Sequence, residues 1–326
     1  MGGRLRLGLV GAGPVAERYH VPAIRGVPEV KASMVADVDT QRAQRLADLA
    51  PFERVVARAE DLCGNVDLAI VALPNALHAP IACLLLEAGV HVLCEKPMAR
   101  TVAECRQMLA AAEKGGAMIS VGHNRRFRTN VLEAKKLIDR GTLGEIKRVT
   151  AVEGSTSDWP RSQAYFDPAV AGGGAMMDVG IHAIDLIRFL VSGYAQVEYS
   201  GNGTPATVES EGRLRFKLAN GAEGEIHSSR DRNLGQELAL TGAEGELRLG
   251  LWGPDLILRR PKGKAFQFFE SLKLNPVRRA MDASFVEHLL QFALAVRDRK
   301  QPPVPGEDGL EAVRVVQWGY AGARPD

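Results

Sequence analysis

An apolar strand that runs straight into a glycine-rich turn limits what this chain can fold into. Residues 4–10 read as a strand and pass directly into Gly11-Ala12-Gly13-Pro14-Val15-Ala16, a Gly-x-Gly-x-x-Ala pattern, and helical periodicity continues to about residue 24. In that context Gly11 permits the tight turn, Gly13 lets a backbone approach a pyrophosphate, and the small Ala16 lets helix and strand pack closely. The helix N-terminus, with Pro14 and Val15, offers unpaired N–H groups to phosphates. A second strand over residues 30–36 ends at Asp37, roughly 20–25 residues past the glycines, where a carboxylate grips a ribose diol. Its charge favours NAD over NADP; Arg42 and Arg45 lie close by and soften that preference. Asp39 is the alternative ribose ligand, although its place before residues 40–49 suits a helix cap.

The alternation continues. An apolar strand over residues 67–73 ends in Leu73-Pro74-Asn75 at a helix start, with His78 one turn further on. Asn75 suits a cap or a cofactor contact equally, and His78 either reaches the crevice or is solvated. Another strand, residues 90–93, runs through Cys94 into Glu95-Lys96-Pro97. Ligands of open parallel α/β sheets bind outside the carboxyl ends of the strands, so Lys96 is placed to act on one. A helix over residues 102–113 and a strand over 117–122 lead into His123-Asn124-Arg125-Arg126. The repetition predicts a doubly wound parallel sheet.

Composition excludes several classes. The chain has 326 residues, 46% hydrophobic and 25% charged, with a net charge of +2. That is enough for two domains, and too little positive charge for a nucleic-acid binder working through a strong basic field. Cys63, Cys83, Cys94 and Cys105 show neither Cys-x-x-Cys nor zinc-ligand spacing. They read as free thiols in a reducing compartment, and no metal site is expected. The start lacks a signal-peptide pattern and no stretch approaches 18 uncharged apolar residues, so a cytoplasmic protein with no membrane partner is expected.

In the second half, a helix is expected over 130–140 and a strand over 146–153. A polar, aromatic loop over 154–171 carries Trp159, Arg161 and Tyr165, read with Asn124 and Arg125 as substrate wall. A helix over 175–190 has an apolar face and a polar stripe, Asp178, His182 and Asp185, at i, i+4 and i+7. A carboxylate one turn from an imidazole orients it and tunes its pKa; the same spacing also serves merely to satisfy a partly buried helix face. Beyond residue 193, short alternating segments separated by turn pairs predict an antiparallel sheet. Residues 261–279 look irregular, and helices are expected over 285–297 and 307–321.

Taken in order, Gly11-x-Gly13-x-x-Ala16, Pro74-Asn75-x-x-His78, Glu95-Lys96-Pro97 and Gly173-Gly174-x-x-x-Asp178-x-Gly180-x-His182-x-x-Asp185 resemble the glucose–fructose oxidoreductase / inositol dehydrogenase (Gfo/Idh/MocA) family over nearly the whole chain. The resemblance implies α/β plus α+β architecture: a Rossmann domain over 1–124 and, over 125–326, a domain built on a large, mostly antiparallel open sheet. The last helix, about 307–323, is expected to pack back on the first domain. It implies reversible NAD(P)-dependent oxidation of a secondary alcohol on a sugar, cyclitol or sugar nucleotide, in a homodimer or homotetramer joined through that sheet. Lys96, Asp178 and His182 carry over as catalytic residues, with the proton assigned to His182 or Lys96. Glu95 joins Gly11, Gly13, Pro14, Val15, Ala16, Asp37, Leu73, Pro74, Asn75, His78 and Lys96 in the expected cofactor set, and Asp178 and His182 also belong to the expected substrate set. The sequence stops at Arg324-Pro325-Asp326, where many relatives continue into a short strand, which bears on assembly. Two other readings are a non-catalytic dinucleotide- or sugar-sensing regulator and a redox-neutral enzyme that holds NAD tightly.

Overall fold

A computed structural model describes residues 3–156, 165–203, 207–253, 256–262, 265–271 and 281–324. Strand β1 (Leu5–Val10) leads to a helix whose first part is a π turn, Ala16–His20, continuing as α1 (Val21–Gly26). Then come β2 (Val30–Ala36), α2 (Thr40–Leu49), β3 (Arg54–Val56), β4 (Leu68–Val71), α3 (Asn75–Glu87), β5 (His91–Cys94), α4 (Val102–Gly115) and β6 (Ile119–Val121). The six strands form one parallel sheet in the order β3-β2-β1-β4-β5-β6, the order of a dinucleotide-binding sheet that reverses direction of growth at β1. The strands read as continuous apolar runs because helices cover both faces; Leu68, Ala69, Ile70 and Val71 are all fully buried.

A short 3₁₀ turn, Asn124–Phe127, leads to α5 (Thr129–Asp139) and β7 (Ile146–Gly154). After α6 (Pro168–Ala171), a second π turn, Met176–Gly180, continues as α7 (Ile181–Leu190). The remaining strands are β8 (Tyr194–Gly201), β9 (Glu211–Leu218), β10 (Glu223–Ser229), β11 (Gly235–Gly242), β12 (Glu246–Gly250), β13 (Leu256–Lys262) and β14 (Ala265–Ser271). With β7 they form an eight-stranded sheet ordered β14-β13-β12-β11-β7-β10-β9-β8. All pairings are antiparallel except β7 with β10. The alternation in β9, with Arg213, Arg215 and Lys217 out and Leu214, Phe216 and Leu218 in, leaves one face polar and packs the other on α7 and α9.

The structure corrects the sequence reading in three places. Residues 265–271, expected to be irregular, pair with β13 as an edge strand. Strand β3 was not anticipated; it is three residues long, too short for a period-2 pattern to register. The third concerns α8 (Met281–Asp298), which starts ahead of the expected residue 285; α9 (Gly306–Ala321) follows it. Helix α9 lies on β6 and α4, where Gln317 accepts a hydrogen bond from Val102 N at 2.9 Å. Helix α8, whose place was not foreseen, covers the opposite face of the parallel sheet. Its Leu289, Phe292, Ala293 and Val296 join Leu7, Leu9, Val35 and Ile70 in one core, and Phe285 stacks on Tyr19 at 4.7 Å. Phe292 is fully buried, worth up to about 3 kcal/mol against an exposed ring.

The stretch Pro168–Leu190 has the length and apolar content of a membrane span, but 67% of its apolar window is buried inside the protein, as in a core helix.

Candidate functional site

The glycine turn has two kinds of constraint. Gly11 has φ +100°, and a Cβ there would lie 2.3 Å from the Ala72 carbonyl oxygen. Gly13 meets no atom within 4 Å of where its Cβ would sit, so its backbone faces open space at the start of the first helix. Asp37, at the carboxyl end of β2, accepts hydrogen bonds from Ala12 N at 2.7 Å and Asp39 N at 2.8 Å. Asp39 caps α2 through Gln41 N and Arg42 N, as its position suggested. Pro14 is exposed and Val15 half-buried, while Ala16 is buried against the sheet. An exposed backbone cradle, a helix start and an acidic residue on the next strand fit the pyrophosphate and ribose of a dinucleotide.

Leu73 covers Gly11 from the end of β4, and Pro74 begins α3. Asn75 does not cap the helix with its side chain: its amide donates to the Ala171 carbonyl at 2.8 Å. His78 is not solvated and does not line the crevice. It is buried, with Nδ1 2.8 Å from the Pro97 carbonyl and Nε2 2.8 Å from that of Leu73. It therefore ties the ends of β4 and β5 together. Glu95 is likewise a bracket, accepting from His20 Nε2 at 2.8 Å and Lys96 N at 3.1 Å. Burial raises its pKa, but the hydrogen bond from His20 and the charges of His20 and Lys96 outweigh this and hold it low.

Lys96 emerges at the end of β5, before a cis peptide bond to Pro97. Its Nζ donates to Asp178 Oδ1 at 3.0 Å and to the Asp178 carbonyl at 2.8 Å. Asp178 sits in the π turn, an irregularity that recurs at functional positions in helices. Tyr165 donates a short hydrogen bond to Asp178 Oδ2. Arg230, just beyond β10, has its Nε 3.5 Å from the same oxygen and its guanidinium 3.8 Å from the Tyr165 ring centre. Burial pushes the Asp178 carboxyl up, yet Lys96, Arg230 and the Tyr165 hydroxyl together hold it at about 2. Arg230 was missed by the sequence reading; only the strand register, with Ser229 opposite Gly154 and Glu211, brings it here.

His182 stands one turn beyond Asp178 and is half-buried, with its Nδ1 enclosed and without a partner among the described residues. Burial first, then the charges of Arg125, Lys96 and His123, push its pKa well below the usual value. Asp185 completes the stripe but serves a different purpose. It receives a bidentate pair from Arg126 at 2.5 and 2.9 Å. Arg126 also donates to Asp308 at 2.6 Å, and Arg188 makes a short pair with Asp308. This network locks α7 to the 3₁₀ turn and to α9.

Asn124 and Arg125, expected to touch substrate, are buried and committed to protein partners. Asn124 donates to Ser284 at 3.1 Å, and Arg125 forms a bidentate pair with Glu153 at 2.5 and 2.7 Å. The chain folds them inward because β6 ends at Val121 and the 3₁₀ turn beyond it buries Asn124, Arg125 and Arg126. Trp159 and Arg161 lie outside the described residues. Cys63, Cys83, Cys94 and Cys105 are free thiols, and burial pushes the Cys105 thiol up to about 12. Among the described residues, no group of three His, Cys, Asp or Glu is placed to hold a metal.

A reversed parallel sheet with an open glycine cradle, and a lysine, carboxylate and imidazole over its strand ends, marks an enzyme of the dinucleotide-dependent oxidoreductase class. Comparison with known proteins gives the particular family. Residues 5–123 match the oxidoreductase family NAD-binding Rossmann fold, and residues 131–248 match the GFO/IDH/MocA C-terminal domain. The chain belongs to the GFO/IDH/MocA family of NAD-binding oxidoreductases. Its relatives include scyllo-inositol 2-dehydrogenase (NADP(+)) of Bacillus subtilis, 26% identical, covering 96% of this chain and 92% of that protein. Among solved structures, aldose-aldose oxidoreductase from Caulobacter crescentus complexed with glycerol is 25% identical with a TM-score of 0.86, covering 98% and 97% of the two chains. Levoglucosan dehydrogenase in complex with NADH and levoglucosan is 22% identical with a TM-score of 0.87, covering 99% of each, and shows the shared fold.

Proposed function

We propose that this protein interconverts a secondary alcohol and a ketone on a sugar or cyclitol, with NAD as hydride carrier. The observation that carries this reading is the convergence of Lys96, Asp178 and His182 at the carboxyl end of β5, beside the glycine cradle. Relatives named as acting on inositols and anhydrosugars support the substrate class.

The cofactor would lie with its pyrophosphate over Gly11, Gly13 and the helix start at Pro14, Val15 and Ala16. Its ribose would sit at Asp37, and Leu73, Pro74 and Lys96 would flank it. Asp37 favours NAD, because a 2′-phosphate would bring more negative charge to a carboxylate already held by Ala12 N and Asp39 N. The nicotinamide supplies the hydride acceptor in oxidation and the donor in reduction.

His182 takes the hydroxyl proton. Burial and the surrounding cations keep its imidazole neutral, and with Nδ1 enclosed the proton is received at Nε2. Lys96 donates to the substrate oxygen and stabilises negative charge developing on it. Asp178, charged well below neutral pH, fixes the Lys96 ammonium and orients it. In reduction the same proton returns from His182 to the oxygen. The polar outer face of the second sheet, where Arg213 and Arg215 pair with Glu225 across strands, is the proposed surface for homo-oligomer assembly, checked by light scattering.

The test is NAD- or NADP-dependent absorbance change with levoglucosan, myo-inositol, scyllo-inositol and simple glucosides as substrates. Turnover with one of them, lost in His182→Ala but with NADH binding retained, is the expected result. Undiminished turnover in His182→Ala removes His182 from the chemistry.

A further inference from the structure

Trp252 is a large apolar side chain left 46% exposed, yet its ring and its backbone are both tied to neighbours. Its indole Nε1–H donates to Glu153 Oε1 at 2.8 Å. The Arg125 guanidinium lies 5.0 Å from its ring centre. Arg128 donates to the carbonyls of Leu251, Trp252 and Gly253, the last two at 2.7 and 2.8 Å. Asn130 donates to the Gly250 carbonyl at 2.9 Å. Keeping an indole in water forfeits hydrophobic free energy, and buried charges are committed here to fixing it in place.

Its position explains the arrangement. Gly154 at the end of β7 lies opposite Ser229 of β10 and Gly235 of β11, and Glu237 of β11 lies opposite Gly250 of β12. Trp252 and Arg230 therefore stand at the same end of the sheet, just beyond β12 and β10. Arg230 meets Asp178. The Trp252 indole reaches back to Glu153 of β7, the strand next to β10, and Arg125 beneath the ring bears on His182 with its charge. The exposed indole is thus fixed to one side of the Asp178 and His182 cluster.

We propose that Trp252 is the platform of a second ring-binding subsite, so that the preferred substrate is a glycoside: a sugar ring oxidised at Lys96 and His182, bearing a second ring that stacks on the indole. Aromatic faces take the C–H face of a sugar or a flat aglycone, because both bring apolar, weakly positive hydrogens to the ring's negative face. This deepens the function proposed above and rests on it.

Two readouts separate the failure of one from the failure of the other. The first is turnover with methyl β-D-glucoside, phenyl β-D-glucoside and cellobiose. The wild type is expected to show a KM about tenfold lower for the two-ring substrates. Trp252→Ala should erase that difference with little change in kcat, and Trp252→Phe should restore most of it. The second readout needs no turnover: Trp252 emission, taken as the difference between the Trp318→Phe and Trp252→Phe/Trp318→Phe proteins, titrated with the same three compounds, alongside NADH binding. A saturable change with the two-ring compounds and not with methyl glucoside supports the subsite, even if NADH fails to bind and the oxidoreductase reading falls. NADH binding with no emission change, or an unaltered KM pattern in Trp252→Ala, overturns the subsite and leaves that reading standing.

Discussion

The Nζ of Lys96 donates at once to the carboxylate and to the main-chain carbonyl of Asp178, at 3.0 and 2.8 Å, across 82 residues of sequence. Two bonds to one residue fix the direction of the ammonium as well as its place. On the function proposed above, the third donor of the ammonium serves the substrate oxygen, in a site where charge is weakly screened.

Removing that donor should cost rate more than binding. Lys96→Met is expected to lower kcat by about 100- to 1000-fold, as for loss of one preorganised donor to a developing oxyanion. NADH affinity, measured by fluorescence titration, should stay close to wild type. A Lys96→Met enzyme with near-normal kcat would show that the ammonium does not act on the reacting oxygen.

The two glycines of the turn should respond in opposite ways. A Cβ at Gly11 meets the Ala72 carbonyl at 2.3 Å with φ +100°, so Gly11→Ala should lower the melting temperature sharply. Gly13 faces open space, so Gly13→Glu should melt close to wild type. The same substitution puts a side chain and a charge where the pyrophosphate belongs and should abolish NADH binding. Differential scanning fluorimetry with and without NADH reads both.

Acid should destabilise the fold through its buried imidazoles. Burial lowers the pKa of His78, His123 and His288, the last to about 3, against about 6.5 in an unfolded chain. Above pH 6.5 these groups are neutral in both states and their contribution is complete. As pH falls below 6.5 the unfolded chain takes protons first, so stability is lost toward the folded pKa. For His288 alone this amounts to about 2 kcal/mol at pH 5. The melting temperature should fall between pH 7.5 and 5, and less steeply in His288→Gln. An equal slope in both proteins would acquit His288.

The pH dependence of turnover should carry the mark of His182. Because its pKa is lowered by burial and by Arg125 and Lys96, the acid limb of kcat/KM for alcohol oxidation should lie below pH 6.5. A limb at pH 7 or above would mean that another group takes the proton.

The Rossmann half was legible because its signals are local. The strand before Gly11, the spacing to Asp37 and the apolar run before Lys96 each lie within one β-α unit, where a steric or periodic rule acts over a few residues. Sequence spacing also set Asp178 and His182 on one helix stripe. It gave no warning that Asp185 on the same stripe would turn to Arg126, or that His78 would bolt two strand ends instead of facing the crevice. Those partners lie 59 residues away in one case and 19 in the other, and no local rule reaches across that separation.

By itself, then, the sequence determined the parallel sheet, the glycine cradle and the identity of the lysine, aspartate and histidine, since turn geometry and side-chain periodicity are properties of neighbouring residues. Only the tertiary structure decided which carboxylate each buried cation meets. Arg125 and Arg126 are neutralised by Glu153 and Asp185, whereas Arg230 arrives at Asp178 from a strand paired in parallel with β7. The physical reason is that a buried charge must find its counter-charge through space, and the register of one sheet against another fixes that distance.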